Sequence, residues 1–350
     1  MKNFFIKYKW WFLPILGILM TTAVLAYEFF WKLEPVKNPT EKVEIFIPRG
    51  SPLNAIIDTL YTNELIESKK GFELWVRARG LETALQAGLF EVPVSANYPQ
   101  ILYTLTHSTP RVINVTIIEG LQSREIAEIL EEHFDFTAEE FLALVNDSAF
   151  AQSLGVPGPS LEGFLFPETY KFFMNDGAEK VARRLVNHFF EVIPDSFATR
   201  AQEMGWTLWD AVTMASIIEG EAIYDSERPT VSSVYHNRIE EGMRLQADPT
   251  IQYIIADGPR RLLNRDLEIE SPYNTYRNRG LPPGPINNPG FESIKAALYP
   301  ADTEYLYFVA KGDGYHTFTK TNREHINAKN EFQKVRRRVY LEQKRKENSN

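Results

Sequence analysis

The chain has no cysteine among its 350 residues. That excludes disulfides, zinc–thiolate sites and a thiol nucleophile. Its six histidines (His107, His133, His188, His236, His316 and His325) include no HExxH pair and no close ligand spacing. A zinc hydrolase is therefore not expected, and neither a metal nor a cofactor is assigned. A G-x-S-x-G elbow and a P-loop are both missing, which removes the commonest serine hydrolase and nucleotide-binding signatures. Positive charge is in deficit: the net value of −8 argues against a nucleic-acid binder, which needs a basic surface. With 24% charged and 44% hydrophobic residues, the composition is that of a folded globular protein. Carboxylate chemistry among polar and aromatic residues is what remains. Sugar-processing clefts look like this, because aromatic faces stack on pyranose rings and amides read hydroxyls.

Trp10 to Tyr27 is an uncharged run of 18 residues, near the lower limit for a bilayer-spanning helix. Lys2, Lys7 and Lys9 precede it without an acid, and Trp10, Trp11, Tyr27 and Trp31 sit at its ends. This pattern predicts a single-pass anchor in the cytoplasmic membrane, N-terminus inside, with the rest extracytoplasmic. A cleaved signal peptide is the competing interpretation, since Val24-Leu25-Ala26 loosely resembles a cleavage site. The expected organisation is a tail at 1–9, an anchor at 10–31, a linker at 32–42, a small strand–helix module at 43–130 and a larger mixed α/β domain at 131–350. The fold class is α+β. Within the module a strand, a Gly turn, a Ser (Ser51, later Ser123) placed to cap, and an Ile/Leu helix occur twice. The pattern resembles the LysM domain, which grips the sugar backbone of peptidoglycan; an ordinary α+β packing domain fits equally well.

The most informative stretch is Ala211 to Ala222, AVTMASIIEGEA. Thr207 and Asp210 have capping-box spacing just before it. Ala211, Ala215, Ile218 and Ala222 recur at helical spacing, so a buried helix should deliver Glu219 and Glu221 at its far end. A carboxyl carried by a core helix loses water on ionising and holds its proton nearer neutral pH, as a general acid for glycosidic bonds requires. Two residues apart on a helix, the glutamates point to nearly opposite sides and cannot face each other across one bond. A one-carboxylate mechanism is the economical inference, and these residues alone do not choose between the two. Asp225, Glu227 or Asp248 could complete a pair.

The runs SIIEGEA (216–222), NRIEEGMRLQADPTIQY (237–253), YNTY (273–276), GLPPGPINNPG (280–290), YLYFVA (305–310) and HTF (316–318), with LEGFLFPETY (161–170), resemble the endolytic murein transglycosylase, or YceG-like, family. The resemblance spans essentially the whole chain. It implies a lyase that cleaves the β-1,4 bond between N-acetylmuramic acid and N-acetylglucosamine in nascent glycan strands without water, leaving 1,6-anhydro ends. It places the acid on Glu221, with Glu219 as a supporting neighbour. Gln246, Asp248, Tyr273, Asn274, Tyr276 and Glu162 are carried over as substrate-binding or supporting residues. Gly220 departs from the family's bulkier residue and should loosen the helix end by about 1 kcal/mol relative to Ala. The implied partners are peptidoglycan strands, the membrane and peptidoglycan synthases. A hydrolytic muramidase and a non-catalytic glycan-binding scaffold are the alternatives.

Overall fold

The computed structural model describes residues 14–25, 41–255 and 258–347. Residues 14–25 form a helix, α1, with exposed side chains. The remainder of the expected anchor, the tail and nearly all of the linker lie outside the described residues. Among the described residues no helix is long and apolar enough to cross a membrane. The chain divides into two compact units, Met1–Ile113 with Lys171–Asp176, and Asn114–Tyr170 with Gly177–Asn350.

In the first unit, β1 (Lys42–Ile47) is followed by α2 (Leu53–Thr62), α3 (Lys69–Ala78), β2 (Gly88–Pro93) and α4 (Tyr98–His107). The strands pair antiparallel with Ile45 opposite Phe90 and Ile47 opposite Gly88. The period of two turns Ile45, Ile47, Phe90 and Val92 to one face, where Ile56, Leu60, Phe72, Val76, Ile101 and Leu105 close the core. Ser51 does not cap α2. The turn from Pro48 closes on Ser51, whose Oγ donates to the Pro48 carbonyl at 2.8 Å, so Pro52 takes the cap position. Ser68 caps α3, accepting from the Gly71 N–H at 3.1 Å.

β3 (Val112–Ile117) pairs with β4 (Glu168–Phe173), and the division between the units passes through both strands. The unit boundary therefore falls at Ile113 and not at the expected 130. Repetition of a strand–turn–helix pattern reports local structure, whereas the partner of β3 lies some fifty residues downstream. In the second unit α5 (Ser123–Glu131) packs on α6 (Ala138–Val145), which is followed by α7 (Ser148–Ser153), and α6 also packs on α8 (Ala178–Val192). Ser123 is the first residue of α5 and not its cap; its N–H is given to Glu162 at 3.0 Å. Then come α9 (Asp195–Glu203), α10 (Leu208–Glu221), α11 (Arg228–Glu240), α12 (Asp248–Ile254), α13 (Phe291–Leu298), the antiparallel hairpin β5 (Tyr307–Ala310) and β6 (His316–Thr319), and α14 (Asn322–Glu347). The class is α+β, and the second unit is chiefly helical.

α10 is the axis of this unit. Its capping box forms as its sequence implies, with Thr207 Oγ1 accepting from Asp210 N–H and Asp210 Oδ2 accepting from Thr207 N–H. Every residue from Ala211 to Ile218 is buried, because α9, α11, α12 and α13 surround it. The irregular loop 284–290 is buried as well. Its backbone polar groups must then find protein partners. Ser216 Oγ accepts from the Ile286 N–H, and Asn287 Nδ2 donates to the Ser216 carbonyl. Gly163, at φ +88°, allows Pro285 to approach to where a Cβ would lie 2.6 Å from its ring.

Asn288 ties three segments together. Its Oδ1 accepts from the N–H groups of Gly163 and Leu165, and its Nδ2 donates to the Leu121 carbonyl and to Glu162 Oε1, all at 2.9 or 3.0 Å. Its backbone exchanges hydrogen bonds with Gly120 and Leu121. Replacing Asn288 by Ala strands buried donors, so urea unfolding at constant slope should show a loss of about 3 kcal/mol or more.

Candidate active site

Glu221 is the last residue of α10. Its side chain is half-buried, and its Oε1 accepts a hydrogen bond from the Tyr235 hydroxyl of α11 at 2.7 Å. Burial pushes its carboxyl up to about 7. The Tyr235 hydrogen bond pulls the other way, the charge of Asp248 adds to the rise, and Arg238 opposes it. A helix C-terminus also carries partial negative charge, which further favours the protonated acid. Surrounded by protein yet not sealed, the group has lost most of its water.

Asp248 opens α12, and its Oδ1 accepts from the Tyr276 hydroxyl at 2.5 Å. Burial and this bond to Asp248 raise the Tyr276 phenol well above its usual range. Tyr235 is raised likewise, first by burial and then by Glu221. Both hydroxyls are thus held as donors. Gln246 is exposed, at the left-handed φ of 53°, with its N–H on the Thr275 carbonyl. Asn274 is fully buried: Nδ2 donates to the carbonyls of Leu267 and Ile269, and Oδ1 accepts from Tyr276 N–H. Its amide is consumed in shaping the turn that presents Tyr276, so it has nothing left to offer a sugar. Gly220 has a defined use. A Cβ there would lie 2.6 Å from the Pro249 ring, so glycine lets α12, and Asp248 with it, close on the end of α10. That corrects the expectation of a merely loosened helix end.

Glu219 points elsewhere, as helical geometry requires. Its Oε1 meets Arg228 Nη1 at 3.0 Å, and its Oε2 accepts from the Gly290 N–H at 3.0 Å. Arg228 also binds Asp225 Oδ1 at 2.8 Å and the hydroxyl of Ser293. Both Glu219 and Arg228 side chains are below a tenth exposed, so this pair is a structural clamp. Asp225 belongs to that clamp, and Glu227 accepts from His316, so neither joins Glu221.

Glu162 falls in a third group. It is buried, accepting from Ser123 N–H and Asn288 Nδ2, and burial pushes it up to about 7 against those hydrogen bonds. Tyr253 and Tyr273 pack their rings at 5.0 Å, and burial first, then the charge of Glu162, raises the phenol of each. The residues expected in one site thus separate into Glu221 with Asp248 and Tyr276, Glu162 with Tyr273, and Glu219 with Arg228. Tyr235 and Arg238 were not anticipated. Their signal was present in the buried i, i+3, i+4 stripe Val231, Val234, Tyr235 and Arg238, where a polar tip on a core face needs a partner.

The chain matches the YceG-like family over residues 45–331. It belongs to that family. It is 35% identical over 317 residues to the endolytic murein transglycosylase of Bacillus subtilis, a match covering 86% of this chain and 88% of that protein. A protein of the same name from Streptococcus pneumoniae is 27% identical over 359 residues, covering 91% of this chain and 65% of the relative. The crystal structure of a putative YceG-like protein from Listeria monocytogenes superposes with a TM-score of 0.59 at 32% identity, over 82% of this chain and 98% of that one.

Glu162 makes stability depend on pH. Its folded value lies above its unfolded one, so its stabilising contribution is complete in acid and is lost as pH rises from about 4.5 to about 7. Glu162→Gln, which cannot ionise, should remove a decline on the order of 3 kcal/mol across that window, read from unfolding midpoints at a series of pH values. Slope left in the variant includes the contributions of Glu221 and Glu119, whose carboxyls burial also raises.

Proposed function

We propose that Glu221 is the single acid of an endolytic lytic transglycosylase acting on peptidoglycan strands. The observation that carries this reading is a half-buried carboxyl, at the end of a buried helix, that holds its proton near neutral pH beside fixed tyrosine donors. Glu221 gives its proton to the glycosidic oxygen, and the C1–O bond breaks with its electron pair going to that oxygen. The C6 hydroxyl of the muramic acid then attacks C1 and returns its proton to Glu221, closing the 1,6-anhydro ring. No water is consumed, and the acid ends as it began. Tyr276 and Asp248, with Gln246 on the adjoining turn, border the sugar; Tyr273, its ring tilted against that of Tyr253, contributes a further aromatic face.

We also assign the run 10–31 to a membrane anchor, supported by the uncharged stretch Trp10–Tyr27 and its flanking aromatics, and the strands and helices after it to a LysM-like glycan grip. Placement at the outer face of the cytoplasmic membrane, beside peptidoglycan synthases, follows from that anchor. One observation favours a second reading. The charge of Asp248 acts on Glu221, so the two carboxyls are neighbours, and a muramidase would use Asp248 to activate water.

Products decide between them. Full-length chain incubated with purified glycan strands should release fragments with 1,6-anhydro ends by mass analysis; reducing ends would support the muramidase. Glu221→Gln should lower cleavage by about a thousandfold while wall binding persists, and wild-type activity should fall as pH rises through about 7 because only the protonated acid works. Cleavage surviving in Glu221→Gln would defeat the assignment, and a scaffold would show no cleavage in either protein.

A further inference from the structure

We propose that Tyr235 is a positioning residue that divides the labour between the two oxygens of Glu221, occupying Oε1 so that Oε2 alone gives and takes the proton. The inference rests on Glu221 being the acid. Oε1 is engaged by the Tyr235 hydroxyl at 2.7 Å, whereas Oε2 has no partner among the described residues and is not sealed from solvent. Tyr235 is itself immobile: it is 1% exposed, and its ring meets Phe308 edge-on at 5.8 Å. Three residues along α11, Arg238 is held by the carbonyls of Leu245 and Leu306. A carboxyl with one oxygen accepting from a rigid donor keeps its proton on the other oxygen. When the proton leaves, the same hydroxyl remains to stabilise the carboxylate formed. When the C6 hydroxyl attacks, its proton returns to the oxygen that is still free.

The groups around Glu221 come from several elements. Tyr235 and Arg238 face it from α11, Asp248 from α12 and Tyr276 from the turn before Arg277. α13 and α9 direct their charges elsewhere, Lys295 to Glu292 and Arg200 to Glu203. Two of the facing groups act with opposite sign. The Tyr235 hydrogen bond favours the carboxylate, and the Asp248 charge favours the acid.

The test is the pH profile of strand cleavage by the full chain, with Tyr235→Phe and Asp248→Asn beside the wild type. Tyr235→Phe should lower kcat about tenfold or more with KM little changed, and should move the high-pH limb up by about one unit. Asp248→Asn should move that limb down. If Glu221→Gln is inactive while Tyr235→Phe keeps both its limb and its kcat, the role of Tyr235 is overturned and Glu221 stands. If Glu221→Gln still cleaves, the acid itself was misassigned. Should Tyr235→Phe fail to fold, a difluorinated tyrosine at position 235 keeps the ring and strengthens the donor. It should move the limb down, and an unmoved limb overturns the inference.

Discussion

One carboxyl must give up its hydration and still meet a ligand, and the second unit is organised around that demand. Burying an acid raises the proton's hold only if the acid is carried by something that cannot relax toward water. α10 is such a carrier, buried along eight consecutive residues and enclosed by four other helices. A surface helix with the same two glutamates would let both side chains swing into solvent, and neither would titrate far from an ordinary carboxylate.

Enclosing that helix creates a second difficulty, which the fold resolves locally. The loop at 284–290 lies against α10 without regular structure, so its amides would be orphaned if side chains did not serve them. Ser216 from the helix and Asn287 and Asn288 from the loop do so. Asn288 reaches further, to the backbone at 120–121 and 163–165 and to Glu162. The buried acid Glu162 is better explained as part of this lattice than as a reagent. Glu219 is explained in the same way: clamped to Arg228 and the Gly290 amide, it fixes the end of α10 so that Glu221 keeps its heading.

Much of this is legible in the sequence. The capping box at Thr207 and the opposed directions of Glu219 and Glu221 are consequences of short-range rules, and they hold. Caps at Ser51 and Ser123 were misjudged because the choice among neighbouring residues depends on where the preceding turn closes and on which distant group claims the amide.

The chain by itself determined that a buried helix would end in two divergent acids and that cysteine, metal and nucleotide chemistry had no foundation, because periodicity and inventory are local properties. Which acid is free, that Tyr235 holds it, that Gly220 admits Pro249 and that Asn274 is spent inside a turn were decided only by tertiary structure. Each depends on a partner far along the sequence, and no short-range pattern encodes the identity of that partner.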